Sequence, residues 1–266
     1  MLHEPFFWGG ILVNSMNEVI LFLSKQGRVK VDKTPIEKII LGFLGGAFVG
    51  LGYLSYVLVA GSFPGMSGHL IGSFLFPIGL TLILMVGAEL ITGNMTVVSL
   101  AMLNKEVSVK EMLINWVWIT LGNALGAMTI ALVFGVYLDM LAPYSDFINN
   151  LAMSKVAPSL MQVFVSGVGC NWIVGLAIWL YNVMQDGFAK LVGAWIPTAI
   201  FVLLSFQHSV ANVFVFSASF AYGGIDLQSA LINFCASYLG NAVGGLVFVS
   251  LIYTLVNNQA KKNLAK

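Results

Sequence analysis

Residues 121–126 read Leu-Gly-Asn-Ala-Leu-Gly, and residues 239–244 read Leu-Gly-Asn-Ala-Val-Gly: five identities in six, at an offset of 118. The same offset carries Glu89 onto Gln207 and Asn94 onto Asn212, so Ala-Glu-Leu-Ile-Thr-Gly-Asn (88–94) corresponds to the stretch Ser-Phe-Gln-His-Ser-Val-Ala-Asn (205–212). Val-Gly-Leu at 49–51 returns at 174–176, at the slightly larger offset of 125. Chance supplies one such match, but hardly a run of five identities with two further positions in register. The chain therefore reads as two related halves.

What those halves are follows from composition. Of 266 residues 59% are hydrophobic and only 9% charged, with a mean hydropathy of +0.92. A soluble domain carries roughly 25% charged residues, so this chain cannot cover itself in water. A membrane crossing needs about 20 apolar residues, and candidate crossings lie at 36–60, 69–101, 111–138, 157–184, 188–220 and 229–256. The second and fifth are too long for a plain helix and carry polar and small residues near the middle, the pattern of a helix broken into two half-helices. Three crossings per half is an odd number, so the second half enters from the opposite face. The expected fold is an all-α integral membrane protein: six transmembrane helices in two inverted three-helix repeats, about 36–138 and 157–256, whose broken helices meet at mid-membrane. Unwound backbone at that depth is tolerated only where it lines a cavity or is packed in protein, so two matching breaks point to a pore or site between the halves.

Eleven of the 12 Lys and Arg residues fall on the chain ends and the even-numbered connections. By the positive-inside rule that side is cytoplasmic, with both termini inside. The opposite side holds Asp139, Asp146, Asp226 and one cation, Lys155, which reads either as a solvated loop lysine or as an attractor for anions. Residues 1–35 form a separate N-terminal segment in which 5–23 read as an amphipathic helix in the membrane interface, with a seventh crossing as the alternative. The basic residues follow this stretch rather than precede it, so it does not read as a cleavable signal peptide. Residues 257–266 read as a cytoplasmic tail. The small-xxx-small faces Gly46/Gly50, Gly122/Gly126 and Gly240/Gly244 suit close helix packing, within the subunit or between subunits.

Few residues can carry chemistry. Cys170 and Cys235 lack metal-ligand spacing and read as small buried hydrophobes, no metal or cofactor is expected, and no stretch alternates basic with aromatic residues as a nucleic-acid groove would. There is no HExxH and no Gly-x-Ser-x-Gly, so an enzyme is not expected. An ionisable residue inside a membrane is functional by default, which singles out His208, beside the second break: its imidazole can donate a hydrogen bond to an anion or exchange a proton with it. Asn171 needs partners; an Asn–His bond is one reading and glue between helices the other. Thr92, in the first break, either caps the helix or meets the substrate. Glu89 reads first as paired with backbone N–H groups freed by the break, with a transport role as the alternative. Gln207 replaces it in the second half, so the halves differ electrostatically. Phe76 and Phe201 flank the breaks as packing or as apolar constrictions.

The pairing of AELITGN with FQHSVANVF, within the three-plus-three plan, resembles the formate/nitrite transporter family from about residue 36 onward. The resemblance implies homopentamers with one pore per subunit, an aquaporin-like fold, a cell-membrane location, and movement of formate, nitrite, related monocarboxylates or hydrosulfide. It also implies His208 as central histidine and possible proton source, Thr92 as broken-helix threonine, Asn171 as partner of the histidine and Lys155 as outer lysine. Phe76, Leu80 and Phe201 are implied as constriction residues on the cytoplasmic side, Ile91 and Val174 on the outer side. Glu89 and Gln207 are supporting positions, and in some relatives the N-terminal segment gates the mouth. A hydrosulfide channel is the alternative within transport. A neutral-solute channel of the water or glycerol type is the alternative outside it, disfavoured by the absence of an Asn-Pro-Ala pair.

Overall fold

A computed structural model describes residues 6–8, 11–63 and 65–264. The only strands among them are a short antiparallel hairpin, β1 (Phe6–Trp8) and β2 (Ile11–Val13). The helix expected over 5–23 thus starts later: α1 is Met16–Asp32. Ser15 sets that start, its hydroxyl accepting from the Glu18 amide while the Glu18 carboxylate accepts from the Ser15 amide, the reciprocal arrangement that satisfies two orphan donors. Ahead of it, Asn14 is tied by its backbone and side-chain amides to the carbonyls of Val183 and Asn182. The apolar face of α1, with Val19, Ile20 and Leu23, is buried against the protein rather than offered to lipid.

Helix α2 (Pro35–Ser62) begins at a Thr34/Glu37 capping box with Pro35 at its first position. The first long apolar stretch then divides into α3 (Met66–Leu75) and α4 (Ile78–Val86), and after an interruption continues as α5 (Ile91–Leu103). Next come α6 (Val109–Thr129), a π-helical run Ile130–Tyr137, and α7 (Ser145–Val156). Then follow α8 (Leu160–Val183), α9 (Gly187–Leu203), a second interruption, α10 (Ser209–Ala221), α11 (Leu227–Val243), a π-helical run Gly244–Leu251 and α12 (Ile252–Leu264). The expected tail is therefore helical as far as Leu264. Among the described residues, five helical stretches are long and apolar enough to cross a membrane: Pro35–Ser62, Met66–Val86, Val109–Tyr137, Leu160–Val183 and Leu227–Asn263. Ile91–Leu103, Gly187–Leu203 and Ser209–Ala221 are shorter apolar helices on either side of the interruptions.

The small-residue faces pack within the chain. A Cβ on Gly46 would lie 1.9 Å from the Asn123 carbonyl oxygen, and one on Gly240 would lie 2.2 Å from that of Phe164. Only glycine permits these approaches, which bring α2 onto α6 and α8 onto α11. Without water between apolar helices, such backbone contact is what dispersion and hydrogen bonding need to hold them together.

Candidate functional site

The two interruptions share one construction. After α4 the chain turns through Gly87 in the left-handed region (φ 76°) and runs extended to Leu90, the N-cap of α5. After α9 it turns through Ser205, also left-handed (φ 56°), and runs to His208, the N-cap of α10. Each leaves backbone groups with no helical partner, and in each an asparagine 34 residues after the acidic or amide position supplies partners. Asn123 accepts from the Ile91 amide at 2.7 Å and donates to the carbonyls of Glu89 and Gly42 at 2.8 and 2.7 Å. Asn241 accepts from the Ser209 amide and donates to the carbonyls of Gln207 and Gly167, all at 2.9 Å. A second pair repeats too: Asn94 donates to Asn115, and Asn212 to Asn233. Asn115 in turn donates to the Lys30 carbonyl, and Asn233 to that of Lys155. These amides are buried, and the three bonds that each of Asn123 and Asn241 makes fix the course of the backbone beside it.

His208 and Thr92 meet between the interruptions. The imidazole Nδ1 accepts from the Ala211 amide at 3.2 Å, capping α10. In the neutral ring that leaves the proton on Nε2, which lies 3.1 Å from the Thr92 hydroxyl. The ring is 3% exposed and stacks on Phe201 at 5.6 Å; Phe201 in turn meets Phe76 edge-on at 5.6 Å. Asn171 does not bond the imidazole, because both ring nitrogens are occupied. Its amide donates to the backbone carbonyls of Thr92 (3.2 Å) and Asn241 (2.7 Å), so it braces one residue from each half. Of its two readings, helix glue is the one the geometry carries.

Two cavities flank this point. One, about 440 Å³, is lined by Lys155 and His208 together with Tyr53, His69, Phe201 and Gln207. Lys155 is 5% exposed, and no carboxylate among the described residues pairs with it. Burial pushes its ammonium down to about 8, since removing a charge from water disfavours the charged form. Gln207 turns its amide onto the Lys155 backbone carbonyl at 2.9 Å and offers no charge. The other cavity, about 340 Å³, is lined by Lys30, Lys33, Glu89 and Leu80 among others. Here the acid is present and paired: the Glu89 carboxylate takes Lys30 at 2.7 Å and Lys33 at 3.6 Å. Glu89 was expected to bind freed backbone N–H groups; Asn123 serves one of those instead, which leaves Glu89 to the lysines.

The constriction positions divide differently from expectation. Phe201 lines the Lys155 cavity and Leu80 the opposite one, so they do not form one ring on the side away from Lys155. Phe76 lines neither cavity and touches Phe201 and Tyr53. Ile91 and Val174 are buried and also border neither. Sequence reasoning passed over Tyr53, His69 and Lys30. The offset of 125 already carried Lys30 onto Lys155. His69 is a second imidazole in an apolar stretch; its Nδ1 lies 2.8 Å from the Tyr56 hydroxyl and its Nε2 2.9 Å from the Leu203 carbonyl. No cluster of three His, Cys, Asp or Glu side chains suited to a metal occurs among the described residues.

A family model described as formate/nitrite transporter matches residues 17–255. The chain belongs to the formate/nitrite transporter family. Among its relatives, a Bacillus subtilis protein described as the uncharacterized transporter YrhG is 41% identical over 244 residues, covering 90% of this chain and 92% of that one. The formate channel BtFdhC of Bacillus thuringiensis is 39% identical over 246 residues, covering 90% and 94%. A solved structure titled as an ion channel of this family superposes with a TM-score of 0.82 at 26% identity, over 91% of this chain and 98% of that chain. A pentameric formate channel with formate bound superposes with a TM-score of 0.71 at 23% identity, over 84% and 97%, and so speaks for the shared fold. The protein is thus a helical membrane protein of a transporter and channel family.

Proposed function

We propose that the chain conducts small monovalent anions, formate, nitrite or a related monocarboxylate, through a pore within each subunit, with His208 as the hydrogen-bond donor and possible proton source at its centre. The observation that carries this reading is the buried imidazole held between two interrupted helices, beside a cavity whose lysine has no acid partner among the described residues. Six crossings in two oppositely inserted halves, with the second and fifth interrupted, account for the paired asparagine networks at a constant offset. A homopentamer in the cell membrane, both termini cytoplasmic and Lys155 facing outward, is the matching assembly; the pentameric relative and the distribution of basic residues support it.

The physical problem is the cost of a bare anion at mid-membrane. Lys155 draws the anion into the first cavity by its unpaired charge. The N-termini of α5 and α10 both begin at the interruptions, and their dipoles carry positive partial charge toward the same region. Past Phe201 and Phe76 the anion meets the Nε2–H of His208 and the Thr92 hydroxyl, which exchange their mutual bond for bonds to it. For the anion to cross neutral, the ring first takes a proton from the cavity on Nδ1, giving up the bond from the Ala211 amide, and the imidazolium then passes its Nε2 proton to the anion and is left neutral. Asn171 positions Thr92 and touches no substrate.

His208→Phe, reconstituted in proteoliposomes, is expected to abolish formate uptake while the protein still assembles. His208→Asn, which keeps a side-chain cap for α10, is expected to lose uptake as well, separating the imidazole's role from its cap. Unchanged formate flux in both would remove His208 from the mechanism. Flux of hydrosulfide in the wild type without formate or nitrite would instead assign the pore to that anion.

A further inference from the structure

The Lys155 cavity holds a second unspent donor. Tyr53 is 6% exposed and borders that cavity. Its ring is pinned on three sides, by Tyr56 at 5.4 Å, Phe76 at 5.4 Å and Phe214 at 5.7 Å, so it has little freedom to turn. A buried tyrosine hydroxyl ordinarily finds a partner. Three of its neighbours in type do: the Tyr56 hydroxyl bonds His69, that of Tyr144 bonds Ser62 and that of Tyr238 bonds Thr120. The Tyr53 hydroxyl makes no hydrogen bond to any described residue. Nor is it among the polar atoms sealed from solvent, so it opens on the cavity. Of the other polar groups bordering the cavity, the Ser154 hydroxyl donates to the Leu151 carbonyl, while Ser166 accepts from the Gln207 amide and Gln162 accepts in the Ser159 cap; the last two keep donors of their own, but neither carries a ring that fixes the donor's direction.

We propose that the Tyr53 hydroxyl is a substrate-binding group, which with the Lys155 ammonium holds a two-oxygen anion in this cavity before it passes the Phe76–Phe201 edge. This rests on the anion-conducting reading above and narrows it to a substrate class. An ammonium is a point charge with three rotatable donors and little directional preference. A pinned phenol offers one O–H in one direction, and its ordering cost is met before the ligand arrives. A carboxylate or nitrite gives each donor its own oxygen. Hydrosulfide offers one heavy atom, and sulfur is a weak acceptor, so it gains from the charge of Lys155 and little from the phenol.

The test is flux of formate, nitrite and hydrosulfide through wild type, Tyr53→Phe and Tyr56→Phe in proteoliposomes. Tyr53→Phe removes one oxygen that has no partner among the described residues, so the packing stays. The expected result is a rise of about tenfold in the half-saturating concentration of formate and of nitrite, the loss of one hydrogen bond to a charged acceptor. Hydrosulfide is expected to stay within about twofold, and Tyr56→Phe, whose hydroxyl is spent on His69, to leave the formate-to-hydrosulfide ratio as it was. Unchanged formate affinity in Tyr53→Phe, an equal change for all three anions, or the same shift in ratio from Tyr56→Phe would each overturn the assignment. Wild type that carries none of the three anions would overturn the transport reading instead.

Discussion

The interruption after α4 and the interruption after α9 are built alike and equipped differently. Both turn through a left-handed residue, both run extended to an N-cap, and both are clamped by an asparagine with three bonds, Asn123 in one case and Asn241 in the other. They differ at every corresponding position: Gly87 against Ser205, Ala88 against Phe206, Glu89 against Gln207, Leu90 against His208. Leu90 has no side chain to cap α5, whereas the His208 imidazole caps α10 and keeps its other nitrogen for Thr92. What the two share is scaffold, polar groups that make an unwound backbone tolerable in an apolar surround. What they do not share is charge and a titratable ring, so the chemistry sits in the differences.

The strongest way to break this comparison is to remove the clamps. Asn123→Ala and Asn241→Ala each delete three buried hydrogen bonds, about 1 kcal/mol apiece with more for groups left unsatisfied, so each is expected to cost ~3 kcal/mol or more. Heating purified protein in detergent and following the assembled fraction measures it, and the two losses should be similar. A large loss from one and none from the other would mean that the two interruptions are not held by the same device.

Charge is the next distinction, and it can be exchanged. Glu89→Gln leaves Lys30 and Lys33 without their carboxylate; since both lysines keep some exposure, the expected cost is ~1–3 kcal/mol rather than that of a fully buried pair. Gln207→Glu adds a carboxylate to the cavity of Lys155, and the half-saturating concentration for formate should rise several-fold. The wild-type cavity also has a pH signature. The buried Lys155 titrates at about 8 against 10.5 for the ordinary group, so anion capture should weaken as pH rises through 8. Between 8 and 10.5 the unfolded chain holds the proton that the folded one has lost, so stability rises with pH across that window. Capture that is flat from pH 7 to 9.5 would take Lys155 out of the anion's path.

Much of this was legible in the sequence, and the reason differs by feature. The interruptions could be read because two apolar stretches exceed a membrane's thickness and carry glycine, serine and amides mid-way. That Thr92 and His208 both sit at the breaks was legible, but the bond between them was not: Thr92 read as a cap or a substrate contact, and the partner expected for the imidazole was Asn171. The partner of Asn171 was not legible, because an amide bonds equally well to an imidazole or a carbonyl, and only the occupancy of both ring nitrogens decides. Glu89 was misread because its lysine lies 59 residues away on a helix that was taken for a lipid-facing one. The sides of Phe201 and Leu80 were not legible either. Both flank a break, and which cavity each reaches depends on how α4 and α9 pack. Tyr53 was silent because a tyrosine in an apolar run reads as core until its hydroxyl is found without a partner.

The smallest expected effect tests the corner itself. Gly87 and Ser205 occupy the same left-handed turn, where an L side chain brings its Cβ close to the following carbonyl at a cost of roughly 1–2 kcal/mol. Gly87 has open space around it, with no atom within 4 Å of an added Cβ, so Gly87→Ala would report the backbone term alone and should destabilise by about 1 kcal/mol. Ser205→Gly removes the same strain and adds chain entropy to the unfolded state, two terms of opposite sign, so a gain below ~1 kcal/mol is expected. Ser205 lines the cavity of Lys155, and strain retained beside a functional site is a device for holding one geometry. The informative readout is therefore the pair of measurements: Ser205→Gly should raise the melting midpoint slightly while lowering formate flux modestly, because a glycine corner orients the Gln207–His208 stretch less firmly. A variant that is both more stable and equally active would show that Ser205 is an ordinary corner residue, with the orientation of His208 set by Asn241 and the cap on Ala211 alone.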